Sequence, residues 1–598
     1  MLINLTSFAG EIPKVSPRLL PDTFAQKAIN TKLWGGNLVP YRAPAQVAVT
    51  LKAGAQVVYK MASGGIDYWL NWSTDVDVAR GPINDTKHRI YYTGDSTPKK
   101  TDFDLATTGS GDYPIASQPM GVPKPTAALT ATPSGSGTGL VESRAYIYTF
   151  INNFDGVEEE SAPSLASAII SWQSGMTVDL SGFQAAPTGY NVTKQRIYRT
   201  VTGSSGTFYL LVAERAVSAS NYNDSITTAA LGEAVPSLDY DMPPDDMQGI
   251  ISMPGGFLVA FSGMDLCFSE PFRPHAWPEK YRLTTSWPIV AVAGYGSTIV
   301  VTTTGKPYLV EGSAPDSMQM SEPHLNYPCL SKRALVDMGE MGVLYPSTNG
   351  LMSVSNLYGA KNITEDMMSL DDWKKLNPAS MVAYRYDNRY FFSWKGLDGS
   401  EGGKFFETVS GNSFFVSTDY KPTNGWHDIE TGKLYLILSN ILWEWDAMQS
   451  PNLTQDWTSK LFVSPLEINF GVAMVEASFV ITPEQVAQAK AAHDAAVAFN
   501  TALLTGLGDA LGSVNDTPIN GMLVNGDLLM TVPSETPPDR ATFYLYADGV
   551  LKYFRYITDS RPFKLPRGYL GRNWQVRVGG NVTINWVKLA ETMQELQT

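Results

Sequence analysis

Gly255-Gly256-Phe257-Leu258-Val259-Ala260-Phe261, followed after a short turn by Asp265-Leu266-Cys267-Phe268-Ser269, is the stretch on which the fold turns. Two short apolar runs on either side of a turn signal predict a hairpin buried on both faces. The unit returns along the chain. Gly296-Ser297-Thr298-Ile299-Val300-Val301 precedes Pro307-Tyr308-Leu309-Val310, and Gly342-Val343-Leu344-Tyr345 precedes Gly350-Leu351-Met352. Asn388-Arg389-Tyr390-Phe391-Phe392 comes next, then Gly432-Lys433-Leu434-Tyr435-Leu436 with Ile441-Leu442-Trp443. A period of about 45 residues suits propeller blades, each a small sheet covered on both faces by its neighbours. Residues 246–450 are therefore expected to form β-propeller blades, a run of hairpins in a sandwich being the alternative.

Working outward, residues 46–121 alternate in the same way, as in Val57-Val58-Tyr59-Lys60-Met61 and Arg89-Ile90-Tyr91-Tyr92, and read as the first β segment of the propeller body. Composition shifts at Pro123, Pro125, Pro133 and the tract Ser134-Gly135-Ser136-Gly137-Thr138-Gly139, a linker or long hairpin loop. Beyond it, about seven strands with regular turns predict a β-sandwich over 122–245. Tyr146-Ile147-Tyr148-Thr149-Phe150, Glu160-Ser161-Ala162-Pro163-Ser164 and Arg196-Ile197-Tyr198-Arg199-Thr200 resemble a fibronectin type III domain. Residues 451–598 read as a C-terminal β domain carrying one helical insertion at about 483–511, with Thr482 as cap and Pro483 at its start. Residues 1–45 are punctuated by Pro13, Pro17, Pro21 and Pro40, which exclude a long helix. Only 22–30 suits a short one, capped by Asp22. The segment is expected to be an N-terminal arm and assembly segment, ordered only against something else.

The whole chain thus reads as mainly β, in several domains, since 598 residues exceed one core. Aromatics make up 11%, and most sit inside alternating strands, where core packing explains them better than sugar stacking does. The formal charge is −14. No run of Lys or Arg marks a sequence-specific DNA binder. Acidity serves solubility, and in a conduit it would also repel the phosphates of sliding DNA. Cys267 and Cys329 are expected to be buried thiols, too few to staple so long a chain. No basic, apolar leader opens the sequence and no apolar run is long enough to span a membrane, which points to synthesis in a cytoplasm.

Signatures of chemistry are missing. His88, His275, His324, His427 and His493 are far apart, with no metal-ligand spacing. Gly305-Lys306, Gly403-Lys404 and Gly432-Lys433 lack the following Ser or Thr of a phosphate loop. Asp239, Asp241, Asp245 and Asp246 offer oxygen ligands but match no calcium loop and read as a solvated linker. The adjacency of Glu158-Glu159-Glu160 says nothing about carboxylates facing each other across a sugar, and glycoside hydrolysis is not assigned to them. No catalytic, cofactor-binding or metal site is assigned, no cofactor is expected, and the chain is read as not an enzyme.

Several segments resemble the nozzle, or tail tubular protein B, family of short-tailed bacteriophages, the podoviruses. Phe8-Ala9-Gly10-Glu11-Ile12-Pro13 with Gly36, Leu38 and Pro40-Tyr41-Arg42 resembles the family's opening. Trp72, Asp75-Val76-Asp77-Val78, Arg89-Ile90-Tyr91-Tyr92-Thr93-Gly94, Pro98 and Thr101-Asp102 resemble its next block. Leu266-Cys267-Phe268-Ser269-Glu270-Pro271, His275-Ala276-Trp277-Pro278 and Leu309-Val310-Glu311-Gly312 resemble its propeller core, and Arg577-Val578 with Leu589-Ala590-Glu591 its closing strand. The resemblance implies a structural protein of the virion tail. It would form a homohexameric ring below the portal and the adaptor (head-to-tail connector), extend the DNA-ejection channel and anchor fibres or spikes. Genomic DNA would pass through without sequence-specific binding. The rival reading is a receptor-binding or glycan-degrading tail protein, usually a trimeric β-helix, whose short coil repeats are missing here. A cellular propeller scaffold would show better-kept blade repeats.

Overall fold

The computed structural model describes residues 2–82, 87–203, 206–323, 326–356, 359–409, 411–479, 483–507, 531–533, 540–557 and 559–596. The architecture is mainly β, with many sheets. Each apolar hairpin of 246–450 becomes part of an antiparallel meander of three or four strands. Sheet III holds Gln248–Met253, Phe257–Ser262, Asp265–Phe268 and Leu283–Thr284. Sheet IV runs from Ile289–Tyr295 to Gln319–Ser321, sheet V from Val336–Asp337 to Gly359–Asn362, and sheet VI from Val382–Tyr386 to Asn412–Thr418. Sheet VII starts at Asn424–Asp428. Their first strands begin at 248, 289, 336, 382 and 424, close to the period seen in the sequence. Upstream lie sheet I, the hairpin Val57–Ser63 with Ile66–Trp72, and sheet II, from Asp77–Arg80 to Gln118–Pro119.

The sheets pack face to face in chain order. The strands of sheet VI show why their apolar runs are unbroken: Ala383, Phe392, Phe406 and Phe415 face a core shared with Leu344, Leu351 and Trp373 of the sheet V region. Tyr384, Phe391, Phe405 and Phe414 face the other way, onto Leu434, Leu436 and Trp445. With side chains alternating at period two, a strand covered on both sides must be apolar throughout. Shared cores likewise join I to II through Leu70 and Tyr92, II to III through Tyr91 and Leu258, III to IV through Val259 and Val301, and IV to V through Val300 and Met352. Trp69 and Val58 of sheet I pack on Tyr435 and Ile437 of sheet VII, so the circuit of contacts returns to its start. Each fully covered large apolar side chain contributes about 1.5–3 kcal/mol. A hairpin alone would leave one face wet, so the sheets stabilise one another.

Sheet VII is completed from the other end of the sequence: Ala45–Gln46 pairs with Ile441–Glu444. This belongs to a wider departure from expectation at the N-terminus. The described residues 2–45 are built into the sheets of the chain itself. Leu2–Leu5 pairs with Thr583–Ala590, and Ala25–Ile29 is a strand between Asn412–Thr418 and Gln455–Ser459. The short helix expected at 22–30 is therefore absent. Ala25 and Ala28 are buried in the main core, and two neighbouring strands supply backbone partners that outweigh local helix propensity. The buried Glu11 holds this segment down, accepting from the Ala28 N–H (2.9 Å), Lys404 Nζ (2.6 Å) and the Ser417 hydroxyl. Ala25–Ile29 extends sheet VI into a ten-stranded sheet that continues through Gln455–Ser459, Gly571–Gly580 and Ala541–Ala547 to Val550–Ile557.

Between sheets II and III, a three-stranded sheet (Thr130–Ser134, Thr177–Ser181, Tyr222–Asp224) and a four-stranded sheet (Tyr146–Phe154, Val157–Glu160, Val192–Gly203, Gly206–Ala216) share a core. Tyr146, Tyr148, Phe150, Val178, Leu180 and Ile197 form it. The expected C-terminal helix spans Pro483–Leu507. Its predicted cap Thr482, and residues 508–511 of its expected end, lie outside the described residues. No helix among the described residues is long and apolar enough to cross a membrane. Cys267 and Cys329 are free and buried, and burial pushes both thiols up to about 11.

Candidate functional site

The first strands of the sheets surround a cavity of about 230 Å³. Asp77, Gly249, Ala291, Arg333, Tyr384 and Trp426 are among the residues lining it, and they come from six of the seven sheets or the segments leading into them. Close packing of the cores pushes the first strands together, and the small residues Gly249, Ala291, Ala383 and Gly425 leave the space between them. At Gly249 the backbone has φ +69°, and an added Cβ would fall 2.4 Å from the Phe261 ring, so glycine is required.

A charged cluster crosses the cavity. Lys332 and Arg333 sit just before sheet V, and Asp75 and Asp77 lie at the entry to sheet II. Lys332 Nζ lies 2.6 Å from Asp77 and 3.1 Å from Asp75. Arg333 contacts Asp75, lies 3.2 Å from Asp77 and donates to the Val76 carbonyl at 2.8 Å. The Gly249 N–H donates to Asp77 Oδ2 at 3.0 Å. Burial raises the Asp75 carboxyl, but Arg333 and Lys332 outweigh it and hold the group below its ordinary value. Two cations and two carboxylates thus tie opposite sides of the circuit together. His427, on the cavity wall, is held below its ordinary value by burial and then by Arg385. On one side the cavity meets a cleft of about 830 Å³ lined by Asp337, Arg385, Tyr386, Asp387 and Ile429. The cluster offers charge neutralisation and mechanical closure, with every ion paired.

A second charged site joins the inserted unit to the circuit. Lys100 of sheet II is fully buried against Glu159 and donates to the Met120 carbonyl at 3.1 Å. Asn152 donates to the same carboxylate at 2.7 Å. Nearby, the buried His275 ring contacts the Glu160 carbonyl at 3.2 Å, and burial depresses its pKa to about 4. Lys87 reaches Asp155 at 3.2 Å, and Arg89 donates to the Asp155 carbonyl at 2.9 Å.

The structure separates the residues that sequence alone placed side by side. Glu158 faces outward to Lys194 and Arg196, Glu159 enters the joint, and Glu160 accepts from Thr149, Tyr198 and Arg196. In the acidic run, Asp239 pairs with Lys280 at 2.6 Å, Asp246 accepts from Ser262, and the Asp241 carbonyl accepts from the Trp277 N–H. His493 contacts the Pro533 carbonyl, His88 lies near Phe103, and His324 is outside the described residues. Among the described residues no group of three or more His, Cys, Asp or Glu is placed to hold a metal ion. Sequence reasoning missed the Lys332, Arg333, Asp75 and Asp77 cluster. The adjacent Lys-Arg and the Asp-x-Asp pair were its only local signal, some 257 residues apart.

The sequence matches no protein-family profile and no curated protein. Solved structures align weakly. The N-terminal domain of BBS1, solved with ARL6, aligns at 10% identity over 61% of this chain and 92% of its own, with a TM-score of 0.24. PorZ, a surface component of the type-IX secretion system of Porphyromonas gingivalis, aligns at 10% identity over 61% of this chain and 42% of its own (TM-score 0.20). The extracellular domain of the hybrid two-component system BT4673 of B. thetaiotaomicron aligns at 8% identity over 90% and 96% (TM-score 0.20). At these scores the alignments carry no argument.

Proposed function

We propose that the chain is a structural protein of a short phage tail, the nozzle that continues the DNA-ejection channel below the adaptor and helps to anchor fibres or spikes. The observation that carries this reading is the closed circuit of seven mutually packed sheets. We read these as the blades of a propeller body, with the 122–245 unit as an inserted fibronectin type III-like sandwich. Such a body is stiff because each blade is covered on both faces, the first packs on the last, and Ala45–Gln46 completes the last. Stiffness suits a wall under ejection load. The ion-tied cavity favours a structural role over catalysis, and a space of about 230 Å³ is far too small to admit a DNA duplex. The DNA path in this reading therefore lies between subunits of a homohexamer, with the acidic body repelling phosphate.

Electron microscopy and mass photometry of the purified chain, alone and with the adaptor ring, test the proposal. Sixfold rings that stack on the adaptor are expected. Monomers alone under all conditions, or a positive glycan array with capsule clearing, would overturn it in favour of the receptor-binding reading.

A further inference from the structure

We propose that the outer face and free edge of the C-terminal part of the ten-stranded sheet dock a second copy of this chain, head to tail, against its acidic body. The ring geometry in this inference rests on the nozzle reading; the interface itself does not.

Val550–Ile557 ends the ten-stranded sheet, and among the described residues it pairs only with Ala541–Ala547. Among the described residues its outer backbone edge has no pairing strand, and open edges readily take up another chain. Val550, Leu551, Phe554 and Tyr556 are 39–55% exposed along this one strand. The rings are ordered: Tyr544 to Phe554 is 4.7 Å and Phe554 to Tyr556 is 4.8 Å between centroids. Arg540 lies over Tyr556 at 4.3 Å, and Arg577 over Tyr544 at 5.0 Å. The opposite face of the same strands carries Phe543, Leu545, Val576 and Val578 into the core, so the exposed rings cannot turn inward. Aromatic and Arg side chains on a flat, preformed surface are what protein interfaces are enriched in.

Charge selects the occupant. Residues 540–577 hold eight Lys or Arg against Asp548 and Asp559, a formal +6 in a chain of −14, so the remainder of the chain carries −20. Arg540, Lys552 and Arg555 form no salt bridge among the described residues, although Lys552 lies in the field of Asp548 and Arg555 over the Phe563 ring at 5.0 Å, whereas Arg577 is taken by Asp456 at 2.7 and 2.9 Å. A patch of one sign repels its own copy, which disfavours a two-fold, self-matching dimer. It attracts the acidic remainder of another copy, and contacts between unlike patches propagate into a closed ring or a filament.

Full-length protein measured by mass photometry and light scattering at low salt and at about 1 M salt, where the screening length falls to about 3 Å, tests this. Wild type is expected to associate at low salt and dissociate at high salt. The triple variant R540E/K552E/R555E is expected to remain monomeric at both, with an unchanged circular dichroism melt showing that it folds. Should it misfold, F554S/Y556S provides the second arm, with association weakened about tenfold or more and its salt dependence kept. Sixfold rings that persist in a folded triple variant would overturn the interface and leave the nozzle reading standing. Salt-sensitive oligomers without sixfold symmetry would support the interface and count against that reading. Wild type that stays monomeric but binds single-stranded or duplex DNA through these residues would overturn the inference in favour of nucleic acid.

Discussion

In the inserted unit, Arg199 and Asp224 meet at 2.6 Å with both side chains fully buried; at the axis of the circuit, Lys332 and Arg333 meet Asp75 and Asp77 with every side chain in partial contact with solvent. The buried pair has few alternatives. Arg199 donates also to the Ile226 carbonyl, and Tyr146 donates to Asp224 at 2.8 Å, but Arg199 Nε and Nη2 find no partner among the described residues. The axial cluster has four members, and each ion touches two of the opposite sign. The difference teaches where each region is vulnerable. An isolated buried pair concentrates its cost in a single residue, because one removal strands a desolvated charge. A wet network spreads that cost.

The largest expected effect follows from the buried pair. Asp224→Ala should destabilise the inserted unit by about 3–5 kcal/mol, read as an early unfolding phase in denaturant with the later, circuit phase unchanged. One concerted transition shifted as a whole would break the comparison, by showing that the two regions do not unfold separately.

Next come two opposed pH effects. His275 at the joint is buried neutral, its pKa lowered from 6.5 to about 4. The unfolded chain takes up that proton first, so this contribution is lost as pH falls from about 6.5 to about 4. Glu407 in sheet VI is pushed the other way, from 4.5 to about 7, by burial that Arg389 at 3.1 Å only partly offsets. The folded state keeps that proton longer, so stability is lost as pH rises from about 4.5 to about 7. Each shift corresponds to roughly 3 kcal/mol. Glu407→Gln should remove the loss on the alkaline side, making the variant the more stable protein above pH 7, while the joint keeps its acid sensitivity. Thermal melts of both proteins across this range check it. Equal slopes in the two would sink the assignment.

A smaller loss, about 1–2 kcal/mol, is expected for Asp77→Asn, because Asp75 still neutralises part of the cluster and the amide oxygen can still accept from Gly249. A loss as large as that of Asp224→Ala would mean that the axial ions behave as an isolated pair. The smallest effect is Asp239→Asn, which breaks a pair with Lys280 in which both side chains are more than half exposed. Its denaturation midpoint should shift by no more than about 0.5 kcal/mol.

The same contrast explains what could be read in advance. The hairpins were legible because a strand buried on both faces writes itself as a local apolar run, as in Phe391-Phe392 or Val300-Val301. The Pro483–Leu507 helix was legible for an equally local reason, its Ala-rich run after proline. Residues 22–30 suit a short helix by local signals alone, a proline-free run headed by Asp22, while their strand exists only between Asn412–Thr418 and Gln455–Ser459. Glu158, Glu159 and Glu160 looked alike in sequence. Strand alternation and the position of Lys100 gave them different surroundings.

The sequence by itself determined that this protein is built of short, mostly apolar strands in repeating hairpins, with two buried thiols and a long acidic chain around a basic C-terminal stretch. Composition and periodicity are local properties, and strand formation follows them. Only the tertiary structure decided that the N-terminal segment completes sheets begun hundreds of residues later. Only it brought Asp75 and Asp77 to Lys332 and Arg333, and left Val550–Ile557 as the last strand of its sheet among the described residues. Those outcomes depend on which distant surfaces exclude water together, and no local pattern encodes that choice.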